Sequence, residues 1–137
     1  MSENVEIVRR VYDAAARRDA AAVFALYDPE VELDASRVGV PDLEADADGI
    51  SRGHAGLRRF FREWHQAWGR IEYDYEELID AGQHVISVVN RRGRGRSSGA
   101  EVELHVALVW TLREGKVVRV VWFPDRAEAL EAAGLRQ

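Results

Sequence analysis

The stretch Glu101–Asp125, EVELHVALVWTLREGKVVRVVWFPD, decides the fold. Two runs of β-branched and aromatic residues, Val102–Leu112 and Val117–Phe123, flank Glu114-Gly115. That pattern predicts an antiparallel hairpin in which the glycine supplies a positive φ. Side chains alternate across a strand, so Leu104, Val106, Leu108, Trp110 and Leu112 share one face, while Glu101, Glu103, His105, Ala107, Val109 and Thr111 share the other. The first face is the core face, and Val118, Val120 and Trp122 are expected on it too. A two-residue turn at Glu114-Gly115 would set Trp110 opposite Arg119 and split the two apolar faces. The reading is therefore a three-residue loop, Arg113-Glu114-Gly115, that pairs Leu112 with Lys116, Trp110 with Val118 and Val106 with Trp122. The indoles would then stand four residues apart, roughly 13 Å along the strands. On the outer face Val109, Val121 and Phe123 lie beside His105 and Arg119. A monomer would expose this apolar patch, so a homodimer through the outer face of the sheet is expected.

Working outward, the chain of 137 residues predicts one domain spanning 1–137, large enough to bury roughly two-thirds of its unfolded surface. Hydrophobic residues make up 47% and charged residues 31%, without the run of roughly 18 apolar residues that a membrane span needs. Residues 1–9, MSENVEIVR, show neither a basic nor an apolar leader region, so a soluble, cytoplasmic protein is expected. There is no cysteine, hence no disulfide, thiolate nucleophile or cysteine-held metal. A net charge of −5 argues against nucleic acid or anionic lipid as partner, since both demand a positive field.

Val5, Val8, Val11, Tyr12, Ala15 and Ala16 recur at helical spacing, with Ser2 as N-cap. Asp19 caps a second, short helix holding Val23, Phe24, Leu26 and Tyr27, which Pro29 stops. Val31, Leu33 and Ala35 alternate with acids and Ser36 as a half-buried strand, and Arg37–Arg52 reads as a long loop, a candidate lid. Gly53–Gly69 carries a third helix with a stripe of Leu57, Phe60, Phe61, Trp64 and Trp68. Ile71, Tyr73 and Tyr75 form a strand, Asp80-Ala81-Gly82 turns, His84–Arg92 forms the next strand, and Arg91–Gly99 turns into the hairpin. Asp125 caps a last helix, Arg126–Ala133, ended by Gly134. Helices segregated from a run of strands mean α+β.

Several landmarks carry a family resemblance: Val8-Arg9-Arg10-Val11-Tyr12, Asp19, the run Leu26-Tyr27-Asp28-Pro29-Glu30-Val31, Arg52-Gly53-His54, and Trp110-Thr111-Leu112-Arg113-Glu114-Gly115-Lys116. Together they resemble the nuclear transport factor 2-like superfamily, and within it the SnoaL-like (polyketide cyclase and ketosteroid isomerase-like) proteins, over nearly the whole chain. The resemblance implies a cone-shaped α+β barrel, with a curved antiparallel sheet wrapped around three N-terminal helices and a pocket between them. Registered on the ketosteroid isomerases, Val11 stands at their oxyanion-hole tyrosine, Ala35 at their general-base aspartate and Leu108 at their hydrogen-bond-donating acid. Tyr12 and Asp34 are each one residue away. Limonene-type epoxide hydrolases would need an aspartate, an arginine and a second aspartate where this chain has Trp122, Val88 and Asn90. Neither catalytic set is matched.

Other motifs weigh less. The arginine-glycine run Arg91–Gly99 reads as a solvated hairpin loop rather than an RNA contact. Glu44, Asp46, Asp48 and Gly49 follow half of a calcium loop, but its twelfth position is Ala55, so no metal is expected. The four histidines make no close ligand pair. His105 reads as surface or interface and His54 as capping the third helix, whereas His65 borders the apolar stripe and is the candidate general base. Asn90 shares even parity with Ile86 and Val88 and is expected to bring an amide into the pocket wall. Asp34 lies on the polar side of its strand, where Arg37 is a possible ion-pair partner.

The expected site thus has Tyr12, Asp34, His65 and Asn90 as candidate catalytic groups, with Arg37, Trp64, Leu108, Trp110 and Trp122 as ligand-binding residues. Tyr12, Trp64, Asn90, Trp110 and Trp122 should converge on one cavity, with Asp34, Arg37 and His65 at its mouth. The expected ligand is a small, mostly apolar organic molecule bound without cofactor, and the expected chemistry is proton transfer of the isomerase, cyclase or dehydratase kind. A non-catalytic ligand-binding or dimerisation module, and an epoxide hydrolase with rearranged groups, are the alternatives.

Overall fold

The first apolar stripe folds as α1 (Glu3–Ala16) and buries Val5, Val8, Val11 and Tyr12 together with Ile7 and Ala14. A computed structural model describes residues 3–38, 50–71, 75–95, 99 and 101–135, and for 64–71, 90–95 and 101–104 the backbone alone. After α1 come α2 (Ala20–Ala25), β1 (Tyr27–Asp34), a 3₁₀ turn (Ser36–Val38), β2 (Ile50–Arg52), α3 (Gly53–Ala67) and β3 (Trp68–Ile71). The chain continues with β4 (Glu77–Ala81), β5 (His84–Gly95), β6 (Glu101–Arg113), β7 (Lys116–Phe123) and α4 (Arg126–Ala132). Ser2, Tyr73 and the acidic segment 39–49, on which a cap, a strand position and a lid or calcium loop were expected, lie outside the described residues.

Seven strands join in the order β2-β1-β7-β6-β5-β3, with β4 also pairing β5. The β1–β7 pair is parallel and the others are antiparallel, so the sheet is mixed rather than wholly antiparallel, and it is open rather than closed into a barrel. The architecture is an α+β cone with α1, α2 and α3 on its inner side. Asp19 opens α2 by accepting a hydrogen bond from Ala22 N at 3.1 Å. Pro29 does not act as the helix stop: α2 ends at Ala25, and Pro29 sits inside β1. The β1–β7 register shifts between Tyr27 and Glu32, where a residue without an N–H costs no ladder bond.

The central hairpin departs from the expected register. Its turn is the two-residue Glu114-Gly115, with φ of 51° and 78° respectively, and Arg113 pairs Lys116 across it. Positive φ at both positions matches the right-handed twist of the flanking strands. Parity is rescued further along by a β-bulge. Leu112 pairs Val117 but Thr111 pairs Arg119, which leaves Val118 over; Trp110 then faces Val120, and Leu108 faces Trp122. Val117, not Val118, therefore joins Val120 and Trp122 in the core, and the two indoles come two register positions apart rather than four.

In β5 the parity is the reverse of the expected one. Val85 and Val89 belong to the inner core with buried Ser87 between them, while Ile86 belongs to the outer cluster. The arginine-glycine run is not a loop as far as Gly95: it continues β5, with Arg92 set opposite Glu103 and Arg94 opposite Glu101. Opposite charges at paired positions favour extension of the ladder.

The outer patch needs no second copy to cover it. Asp125 starts α4 by accepting from Glu128 N at 2.8 Å. Ala129 and Leu130 of that helix then pack with Ile86, Ala107, Val109, Val121 and Phe123. The dimer expected from an exposed Val109, Val121 and Phe123 loses its motivation, because the chain's own last helix buries them. No helix among the described residues is long and apolar enough to cross a membrane.

Candidate functional site

The inner face of the sheet and the three helices do not quite meet. Between them lies a cavity of about 50 Å³. The lining comes from α1 (Val11, Tyr12, Ala15), α2 (Val23), α3 (Phe61), β1 (Tyr27, Leu33), β6 (Leu108, Trp110) and β7 (Val120, Trp122). Each position follows from strand or helix parity once the bulge is counted: 108 and 110 alternate inward on β6, and 120 and 122 on β7.

Aromatic rings make the walls. Tyr27 stacks on Trp110 with centroids 6.5 Å apart and planes 6° from parallel. Tyr12 meets Trp110 edge-on at 5.8 Å and Tyr75 at 5.0 Å, and Phe60 braces Trp122 edge-on at 5.7 Å. Behind the walls, His54 Nε2 lies 3.0 Å from the Tyr27 carbonyl and ties the start of α3 to the start of β1. Phe24 packs beside the His54 ring at 5.5 Å and carries the Arg58 guanidinium over its other neighbourhood at 4.9 Å. At the surface end of α1, Arg9 Nε donates to the Tyr75 hydroxyl at 3.3 Å. That bond, with a second one to Glu6, raises the Arg9 guanidinium above its ordinary value, so it stays a fixed cation.

One polar cluster interrupts the apolar wall. The Ser87 Oγ is 2.8 Å from the Tyr12 hydroxyl and accepts from Trp110 Nε1 at 2.8 Å. Ser87 is 0% exposed and Tyr12 5%, so these bonds are made out of water, where an unmade one is costly. Sequence reading overlooked Ser87. Its signal was a lone hydroxyl between Val85 and Val89, directly opposite Leu108.

Of the expected site residues, Tyr12, Leu108, Trp110 and Trp122 line the cavity. Asp34 and Arg37 do not reach its mouth. Leu33 takes the inward position on β1, which puts Asp34 on the outer face in register with Val121 of the outer cluster. There the Asp34 Oδ1 accepts from Ser36 N at 3.0 Å and from Ser36 Oγ at 2.6 Å, which spends the carboxylate on a local turn. The Arg37 guanidinium lies over the Phe123 ring at 5.3 Å, again on the outer side. Asn90 is paired in register with exposed His105, on the parity of Ile86 rather than that of Ser87, so the premise that placed it inward does not hold. The side chains of Asn90, Trp64 and His65 lie outside the described residues.

An open α+β cone enclosing an aromatic-walled cavity defines the nuclear transport factor 2-like class. The model of the SnoaL-like domain matches residues 8–120, and the chain belongs to that family. A nuclear transport factor 2-like protein of unknown function from Burkholderia pseudomallei is 26% identical, with 96% of this chain and 97% of that one covered and a TM-score of 0.79. Another from Burkholderia thailandensis is 30% identical over 95% and 98% of the two chains, TM-score 0.79. TerC, co-crystallised with polyporic acid, is 25% identical over 97% and 99%, TM-score 0.77. No curated protein matches the chain in sequence.

Proposed function

We propose that this SnoaL-like protein binds a small, mostly apolar organic molecule in the cavity, oriented by a single hydrogen bond on the Tyr12 side. The observation that carries the reading is the chemistry of the described lining. It is aliphatic and aromatic, with polar side-chain atoms only on Tyr12, Tyr27, Trp110 and Trp122, and it holds neither carboxylate nor imidazole. Mostly apolar walls with a few fixed polar atoms are the make-up of small-molecule sites. The likeness to TerC, co-crystallised with polyporic acid, supports an organic ligand. The lining gives no support to epoxide hydrolysis, which would need carboxylates where Trp122 stands. Titration with a panel of small aryl ketones, quinones and hydrocarbons should raise the melting temperature in proportion to ligand concentration. Ala15→Leu, which fills the cavity from α1, should weaken binding by at least about tenfold, the loss of one well-packed contact region. Unchanged affinity in that variant would place the ligand elsewhere.

A second reading adds cofactor-free proton transfer of the isomerase, cyclase or dehydratase kind. Phe61 of α3 lines the cavity and His65 follows it by one helical turn, the spacing that puts two residues on one face of a helix. On this reading His65 is the base and Tyr12 the acid. His65→Gln should then abolish turnover of a processed ligand while leaving its affinity within about twofold.

A further inference from the structure

The hydrogen-bond directions around Ser87 narrow the ligand class. An indole nitrogen can only donate, so the Trp110 Nε1 contact makes the Ser87 Oγ an acceptor there. A hydroxyl has one proton to give, and among the described residues Ser87 has one remaining partner, the Tyr12 hydroxyl at 2.8 Å. Were Tyr12 to donate across that contact, Ser87 would accept twice and its own proton would be left over. Ser87 is wholly buried and does not line the cavity, so no ligand or bulk water can take that proton. A buried donor without an acceptor costs its full desolvation, whereas the opposite direction leaves nothing on Ser87 unspent. The order is therefore Trp110 Nε1–H to Ser87 Oγ, then Ser87 Oγ–H to Tyr12 Oη. Tyr12 accepts on its Ser87 side, and its own proton points away from Ser87.

We propose that Ser87 is a positioning residue that commits the Tyr12 hydroxyl to act as a donor toward the cavity, and that the ligand is accordingly a flat molecule with a hydrogen-bond-accepting oxygen, a ketone or quinone rather than an alcohol donor or a hydrocarbon. This deepens, and rests on, the reading of the cavity as a ligand site. The chain of bonds also polarises in one direction, each donor strengthening the next, so Tyr12 is a better donor than an isolated phenol. Neighbouring rings fix its placement: Trp110 and Tyr75 flank the Tyr12 ring, and Tyr27 stacks on Trp110 to present a flat wall beside it.

The test uses two probes of the same shape, acetophenone and α-methylstyrene, which differ by an acceptor oxygen in place of a methylene. Affinities come from ligand-observed NMR, and the hydrogen bond itself from the ¹³C shift of carbonyl-labelled acetophenone. Wild-type protein should prefer the ketone by about tenfold, the magnitude of one good hydrogen bond. The bound carbonyl should move downfield. Tyr12→Phe should erase both the preference and the shift. Ser87→Ala should reduce both, since Tyr12 loses the donor that sets its hydroxyl, and Ser87→Thr should restore them. A purely structural role for Ser87 would lower both affinities together and leave their ratio intact, which overturns the proposal. Equal affinity of the two probes for wild-type protein also overturns it while leaving the cavity reading standing. Failure of both probes to bind overturns the cavity reading and this inference with it.

Discussion

The two faces of β6 are made from alternate residues of one strand and end in opposite states. Ala107 and Val109 point outward into a cluster that α4 closes with Ala129 and Leu130, while Leu108 and Trp110 point inward to a space that three helices leave partly unfilled. A seven-residue helix with small and medium side chains can settle onto a nearly flat face. The inner face is concave and lined with indoles and phenols, whose bulk and rigid planes hold the helices off it. Packing to native density is the outcome on one side, and a walled cavity with one buried polar cluster is the outcome on the other. The lesson is that the outer face contributes to stability alone, whereas the inner face gives up some packing to retain a site.

That contrast can be broken at either face. Trp122→Ala should have the largest effect, since the indole is buried at 1% exposure against Phe60; a loss of about 3–5 kcal/mol in denaturant unfolding is expected. The same change should disturb ligand affinity. Leu130→Ala on α4 should cost about 2–4 kcal/mol by the same measurement and leave affinity for any cavity ligand unchanged. An affinity change there would mean that the two faces are coupled. Ser87→Ala strands the Trp110 N–H, and about 1–3 kcal/mol is expected in thermal unfolding, with Ser87→Thr recovering part of it. Smallest is Asp125→Ala, which removes the acceptor for Glu128 N at the start of α4; about 1 kcal/mol is expected, with fraying of α4 visible in amide exchange while the cavity stays intact.

The inner face was legible in the helices and in the hairpin's even positions, because periodicities of 3.6 and 2 report burial directly. Tyr12 and Trp110 could be placed this way. Legibility failed where one residue changes parity. The bulge at Val118 has no composition signal of its own, being one valine in a run of them, yet it decides which residues of β7 meet the core. In β5 the run Val85-Ile86-Ser87-Val88-Val89 is apolar on both faces because both faces are covered, and alternation then carries no information. The inward placement expected for Asn90 rested on that ambiguous run. Asp34 misled for a related reason: a carboxylate near a strand end reads alike whether it faces a pocket or, as here, closes a turn with Ser36.

By itself, then, the sequence determined the fold class, the element types, the caps at Asp19 and Asp125, and the aromatic stock of the cavity, since these depend on local propensity and on spacing along one element. Only the tertiary structure decided the register past the bulge, the parity of β5, the covering of the outer patch by α4 and the meeting of Tyr12, Ser87 and Trp110. Those three residues lie on α1, β5 and β6, and bonds between them exist only after strand pairing and helix docking have brought them together. Such contacts are set by the geometry of distant elements packing against one another, which no spacing within a single element encodes.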